Sequence, residues 1–222
     1  MSDSSDVRRE RLIQLYRDVS TCTRCRLNET RTRAVFGSGN ANADLMFVGE
    51  APGAEEDRQG LPFVGRAGQL LNQLLAEIGM RREDVFIANT LKSRPPGNRD
   101  PQPDEIEACW PYLESQIQLI EPRVVATLGN FATKKLTGSP TGITRCCGTP
   151  QVHELAGRTV FIYPLFHPAA ALRTPSVLER LREDFSRIPA LLAEPLPDEQ
   201  EALQIEDAED HAVPADQLDL FA

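Results

Sequence analysis

Four short apolar runs, each closing near a Gly, Asn or His and followed by a loop or helical stretch, constrain this chain more than any other feature. They are Asp44-Leu-Met-Phe-Val-Gly49, Val85-Phe-Ile-Ala-Asn89, Arg123-Val-Val-Ala-Thr-Leu-Gly129 and Thr159-Val-Phe-Ile-Tyr163. Continuous apolar runs of this length read as strands buried on both faces. Between and around them the period changes. Leu70, Leu71, Leu74, Leu75 and Ile78 fall on one helical face of 65–79, Asp104–Ile120 reads as a helix, and another is expected from about Pro175 to Leu192. A further helix over Val7–Val19 carries Leu12, Leu15, Tyr16 and Val19. Strand and helix in alternation predict an α/β fold, a three-layer sandwich with a central four-stranded parallel sheet flanked by helices. Ligands of such sheets bind at the carboxyl ends of the strands. Glu50, Asn89 and His167 lie at those ends. The pattern locates a site without naming a reaction.

Charge divides the chain. Ten of its 33 carboxylates lie in Ala193–Ala222, where there is no Lys or Arg, which leaves 23 acids against 24 bases in 1–192. A nearly neutral body, with almost all its positive charge on Arg, is compatible with phosphate contacts despite the overall charge of −9. The division predicts a domain over 1–192, a disordered acidic linker over 193–215 and a terminal peptide over 216–222. No apolar run reaches the length of a membrane span, and Met1–Arg11 is too charged for a secretion signal. A cytoplasmic location is expected, so five cysteines point to metal or redox chemistry rather than to disulfides.

Three segments carry more. Gly49-Glu-Ala-Pro-Gly53 runs on to Glu55-Glu-Asp57 and Gly60-Leu-Pro-Phe-Val-Gly-Arg-Ala-Gly68; Asn89-Thr-Leu-Lys-Ser-Arg-Pro-Pro-Gly-Asn-Arg-Asp-Pro101 follows; His167-Pro-Ala-Ala-Ala-Leu-Arg173 comes last. In this order and spacing the set resembles the type-4, iron–sulfur uracil-DNA glycosylases, from about Cys22 to Arg187. The resemblance implies an enzyme acting on uracil-containing DNA, hydrolysing the N-glycosidic bond and leaving an abasic site in base excision repair. The base would first be flipped out of the duplex.

The roles implied are specific. Phe63 would stack on the flipped base, a contact worth about 1–3 kcal/mol. Asn89 would read uracil, its donor and acceptor matching O4 and N3–H where cytosine presents the reverse. Glu50 would orient the attacking water, with Ala51 and Pro52 shaping that wall. Glu56 would close the space a thymine methyl needs, with Glu55 and Asp57 competing for the part. His167 would donate to uracil O2 as negative charge builds. Leu172 and Arg173 would enter the DNA helix as the base leaves, and Arg94 and Arg99 would meet phosphates.

Cys22-x-x-Cys25 and Cys109 match three ligands of the family's 4Fe–4S cluster, and Ser93 stands at the fourth ligand position. A hydroxyl is a harder and poorer ligand than thiolate. Several outcomes stay open: weak ligation by Ser93, an outside ligand, substitution by Cys146 or Cys147, or a zinc or empty site. Gln217-Leu-Asp-Leu-Phe221 (Gln217, Leu218, Asp219, Leu220 and Phe221) resembles the peptide by which bacterial repair proteins dock on the sliding clamp. A monomer is expected. Competing functions are a uracil-DNA binding protein with little turnover, an iron–sulfur scaffold, and a glycosylase preferring another deaminated base such as hypoxanthine.

Overall fold

The computed structural model describes residues 2–197. The four apolar runs form strands, β2 (Leu45–Gly49), β3 (Phe86–Asn89), β4 (Val124–Leu128) and β6 (Arg158–Leu165), all mutually parallel where they pair. Two antiparallel edges that the apolar pattern does not announce extend the sheet to six strands: β1 (Ser38–Gly39) beside β3, and β5 (Gln151–Leu155) beside β6. The first is two residues long. The second alternates between solvent and core, as an edge strand does, and reaches β6 through Ala156 and Gly157, both at positive φ.

The sheet order is β1-β3-β2-β4-β6-β5. The chain leaves β2 for β3 on one side and then crosses back to β4 on the other. That reversal opens a crevice at the carboxyl ends of β2 and β4.

Alternation along each strand builds two cores. Leu45, Phe47, Ile87, Ala126 and Tyr163 pack against α3 (Arg66–Glu77), α8 (Pro175–Ser186) and α9 (Ile188–Ala193), with Phe47 stacked on Phe185 at 5.6 Å. Met46, Val48, Phe86, Ala88, Val125 and Ile162 face α1 (Ser2–Ser20), α4 (Pro103–Ile120) and α5 (Asn130–Thr137). Burial of each large aliphatic side chain contributes about 1.5–3 kcal/mol. The expected single helix from Pro175 to Leu192 is two helices, broken at Arg187. Pro189 in the first turn of α9 has no N–H to continue the ladder, and its ring crowds the preceding turn.

Packing continues to Leu196, buried in the first core, and Arg123 donates to the Glu194 carbonyl at 3.0 Å. The acidic segment from 198 onward and the Gln217–Phe221 peptide lie outside the described residues. Among the described residues no helix is long and apolar enough to cross a membrane.

Candidate active site at the carboxyl ends of the strands

Parallel register sets the site. Gly49 is paired with Asn89, so the residues after β2 and at the end of β3 stand side by side. The loops are tied one step further: Thr90 N–H donates to the Gly49 carbonyl and Leu91 N–H to that of Glu50, both at 2.9 Å. Gly49 has to be glycine. A Cβ there would lie 2.4 Å from Asn89 Oδ1 and 2.8 Å from the Phe63 ring.

A cavity of about 480 Å³ opens there, lined by Glu50, Ala51, Pro52, Glu56, Phe63, Asn89, Arg99, His167 and Arg173 among others. That volume lies within the usual range for small-molecule sites. The structure thus brings together every residue expected to touch the base.

Asn89 is 2% exposed, and among the described residues its Oδ1 has no hydrogen-bond partner. An unpartnered buried acceptor costs about 1–3 kcal/mol, so it is a group prepared for a donor that arrives with a ligand. Its backbone is fixed from below by Lys92, a fully buried residue whose ammonium donates to the Asn89 carbonyl at 2.9 Å and to Gln116 Oε1 at 2.5 Å. Burial pulls the Lys92 pKa down to about 7.

His167 follows β6 and caps α7 (Pro168–Ala171). Its Nδ1 accepts from Ala169 N–H at 3.1 Å, which leaves the proton of the neutral ring on Nε2. Burial lowers its pKa to about 4, so the imidazole is uncharged near neutrality. Gly129, at φ 94, passes so close that a Cβ would sit 3.1 Å from that of His167.

Phe63 lies 5.7 Å from the His167 ring with 29° between the planes. Its φ of 50° is a left-handed conformation that a Phe rarely adopts, at a cost of about 1–3 kcal/mol. Glu50 is half-buried, and burial together with the charge of Asp100 raises its pKa above the ordinary carboxylate value.

Three acids compete on α2 (Ala54–Gln59), and their environments separate them. Glu55 is exposed and pairs with Arg58 at 2.8 Å; Asp57 is buried and accepts from Thr32 N–H at 2.9 Å. Only Glu56 of the three lines the cavity, its Oε1 accepting from Val64 and Gly65 N–H, both at 3.0 Å.

The basic residues divide as well. Arg99 forks onto the buried carboxylate of Glu105, at 2.5 and 2.9 Å, so its charge is already satisfied. Arg94 donates to Asn98 Oδ1 at 2.7 Å, whereas Arg173 lies on the cavity wall beside the exposed Leu172.

The cysteines gather elsewhere, where the segment after α1 meets α4. Cys25 and Cys109 share a small apolar cluster with Leu27 and Leu91, and the charges of Cys22 and Cys25 both act on Cys109. Burial raises the Cys25 and Cys109 pKa values, so a cationic centre would be needed to draw off their protons. Ser93 is 3% exposed, and its hydroxyl accepts from Arg31 at 3.1 Å. Three soft donors therefore suit an iron–sulfur centre, and the fourth position holds a hydroxyl already engaged by a guanidinium. Among the described residues no three Cys, His, Asp or Glu side chains converge closely enough for a single metal ion. Cys146 and Cys147 belong to another region: the Cys147 thiol donates to Asp184 of α8 at 3.2 Å.

Lys92, Arg31 and Gly49 were not legible as functional positions. Lys92 acts on the Asn89 carbonyl and on Gln116, three and 24 residues away, Arg31 on Ser93, 62 residues away, and the steric demand on Gly49 comes from Asn89 and Phe63.

An acid, a buried amide and a neutral imidazole thus stand around one small cavity at the carboxyl ends of the strands. The family model of the uracil DNA glycosylase superfamily matches residues 36–189. The chain belongs to that superfamily and, within it, to the type-4 uracil-DNA glycosylases, the name carried by its relatives at 44–46% identity. The type-4 enzyme of Sulfurisphaera tokodaii is 45% identical over 189 residues, covering 83% of this chain and 86% of its own. That of Archaeoglobus fulgidus is 44% identical over 192 residues (85% and 96%), and that of Thermotoga maritima 46% over 170 residues (76% and 87%).

Proposed function

We propose that the protein excises uracil from DNA by hydrolysing its N-glycosidic bond, with Asn89, His167, Glu50 and Phe63 as the working groups. The observation that carries this assignment is the pairing, in one cavity, of an unpartnered Asn89 acceptor with a neutral His167 whose Nε2 is the donor.

The base enters between these groups after flipping. Asn89 Oδ1 accepts from uracil N3–H while its amide nitrogen donates to O4. Cytosine carries an acceptor at N3 and a donor at C4, so both contacts would oppose like groups. Phe63 stacks on the base. As the bond between N1 and C1′ lengthens, its electron pair moves onto the uracil ring and O2. His167 Nε2–H meets that oxygen with a hydrogen bond that strengthens as charge builds, and it needs no net charge to do so. Positive charge develops on the sugar. Glu50 faces it as a carboxylate, orients the water whose oxygen adds to C1′, and takes up the proton that water gives up, while uracil leaves as its anion and is protonated from solvent. Arg173, on the cavity lining, and its exposed neighbour Leu172 would serve as a phosphate contact and a wedge.

Cys22, Cys25 and Cys109 would hold a 4Fe–4S cluster, with Ser93 at its fourth corner. When bound, the cluster supplies a cross-link between the amino-terminal segment and α4. The carboxyl-terminal peptide Gln217–Phe221, on its acidic tether, is read as a docking segment for the sliding clamp. A pull-down with purified clamp that survives deletion of 217–222 would remove that part.

The direct experiment is alkaline cleavage of oligonucleotides carrying a single uracil, thymine or hypoxanthine after incubation with the protein. Cleavage at uracil alone is expected. Equal cleavage at hypoxanthine would replace the substrate assignment, and tight binding without cleavage would make the protein a reader of uracil rather than an excising enzyme.

A further inference from the structure

Phe63 sits in a turn that belongs to no helix or strand, in a backbone conformation that is costly for an aromatic residue. Such a conformation persists only where its surroundings over-determine it. The turn is gripped from two sides. On the amide side Val64 and Gly65 both donate to Glu56. On the carbonyl side stands Arg82. Its Nη1 donates to the Phe63 carbonyl at 3.1 Å, and its Nη2 donates to that of Pro62. The same guanidinium reaches Asn72 Oδ1 at 3.3 Å and Ser38 Oγ at 3.4 Å. It is half-buried, and among the described residues it forms no ion pair. A guanidinium taken out of water and turned on two backbone carbonyls is an uncommon use of a charge.

Two further features tighten the arrangement. Gly68, in the first turn of α3, passes so close that a Cβ would lie 1.8 Å from the Phe63 carbonyl oxygen. Arg82 opens the 3-10 turn Arg82–Asp84 that feeds β3, the strand ending in Asn89. The stacking ring and the base-reading amide are therefore joined through one side chain.

We propose that Arg82 is a positioning residue for base recognition: by bridging the Pro62 and Phe63 carbonyls opposite Glu56, it holds Phe63 in its left-handed conformation and sets the stacking ring against the strand that carries Asn89. This inference rests on uracil excision as the protein's reaction, with Phe63 as the stacking surface.

The test is a double-mutant cycle under single-turnover conditions with a single-uracil oligonucleotide. The proteins are wild type, Arg82→Gln, Phe63→Ala, the combination, and Arg82→Lys, each with a melting temperature. Arg82→Gln is expected to lower the maximal rate by roughly 10- to 100-fold, the scale of a small misplacement in a reacting complex, with the DNA concentration for half-saturation little changed. Arg82→Lys, which keeps the charge but spans one carbonyl less readily, should recover part of the rate. In the Phe63→Ala background, removing Arg82 should cost less than about 3-fold, because residues that act through one another are not additive. Independent, multiplying losses would overturn the proposal, and so would an Arg82→Gln rate within about 3-fold of wild type. If Arg82→Gln does not fold, the same cycle with Arg82→Lys decides: a loss that vanishes with Phe63 supports the coupling, and one that persists overturns it. A Phe63→Ala protein as fast as wild type would fail differently, removing Phe63 as the stacking surface while leaving uracil excision standing.

Discussion

The base pocket and the cysteine corner are built on opposite principles. In the pocket Asn89 and His167 are positioned before any ligand arrives. Register pairs Gly49 with Asn89, Ala169 N–H fixes the His167 tautomer, and Lys92 holds the Asn89 carbonyl. In the cysteine corner Cys25 and Cys109 share an apolar cluster, but among the described residues no three donors converge. The half-buried Cys25 and the buried Cys109 keep raised thiol pKa values, and the Ser93 hydroxyl is bound to Arg31. A reaction site must hold its geometry through a turnover, whereas a ligand cage acquires its geometry from what it binds. The pocket is therefore expected to be sensitive to small changes of shape, and the corner to accommodate a changed ligand.

That contrast can be broken by substitution, and the largest effect should come from Asn89→Asp. It replaces the amide donor with a second acceptor facing O4, and a loss on the order of 10⁴-fold in single-turnover cleavage of uracil is expected. His167→Ala removes the donor to O2 and should cost about 10²- to 10³-fold. Either protein retaining wild-type rates would show that the pocket does not read the base as described.

The pH profile sharpens the same point. His167 titrates near 4, below its ordinary value of 6.5, so no activity should be lost as pH falls through 6.5. Glu50 is shifted the other way, by burial and by Asp100, and in the proposed reaction it acts as the carboxylate. The acid limb should therefore lie above the ordinary carboxylate range and belong to Glu50. Finding it instead at the usual histidine value, and abolished in His167→Ala, would reverse the assignment.

The smallest effect belongs to the other region. Ser93→Cys completes a four-thiol set, and raised iron content and melting temperature are expected with the cleavage rate of folded protein unchanged. No change in iron or melting temperature would mean that Ser93 lies outside the ligand shell.

The same contrast explains what could be read from sequence. The parallel strands and the site at their carboxyl ends follow from four apolar runs and the polar residues that end them, because burial on both faces leaves a local imprint. Cys22, Cys25 and Cys109 are visible because their residue type is itself the signal. The edge strand Gln151–Leu155 and the break before Pro189 were hidden. An edge strand alternates like many loops, and one proline inside a helical pattern does not say whether the helix bends or ends. Arg82 and Lys92 were hidden for a different reason. Each acts on backbone carbonyls, and a carbonyl carries no residue identity for a sequence pattern to match.

The measurement that bears most directly on the account uses wild type, His167→Ala and Cys109→Ala, with iron content and single-turnover cleavage of a single-uracil oligonucleotide recorded on the same preparations. Expected are wild-type cleavage, a His167→Ala protein with its iron intact and its rate lowered about 10²- to 10³-fold, and a Cys109→Ala protein that loses iron and stability while its folded fraction still cleaves. A folded, iron-loaded wild type that leaves uracil in place would contradict it, as would a His167→Ala protein that cleaves at the full rate.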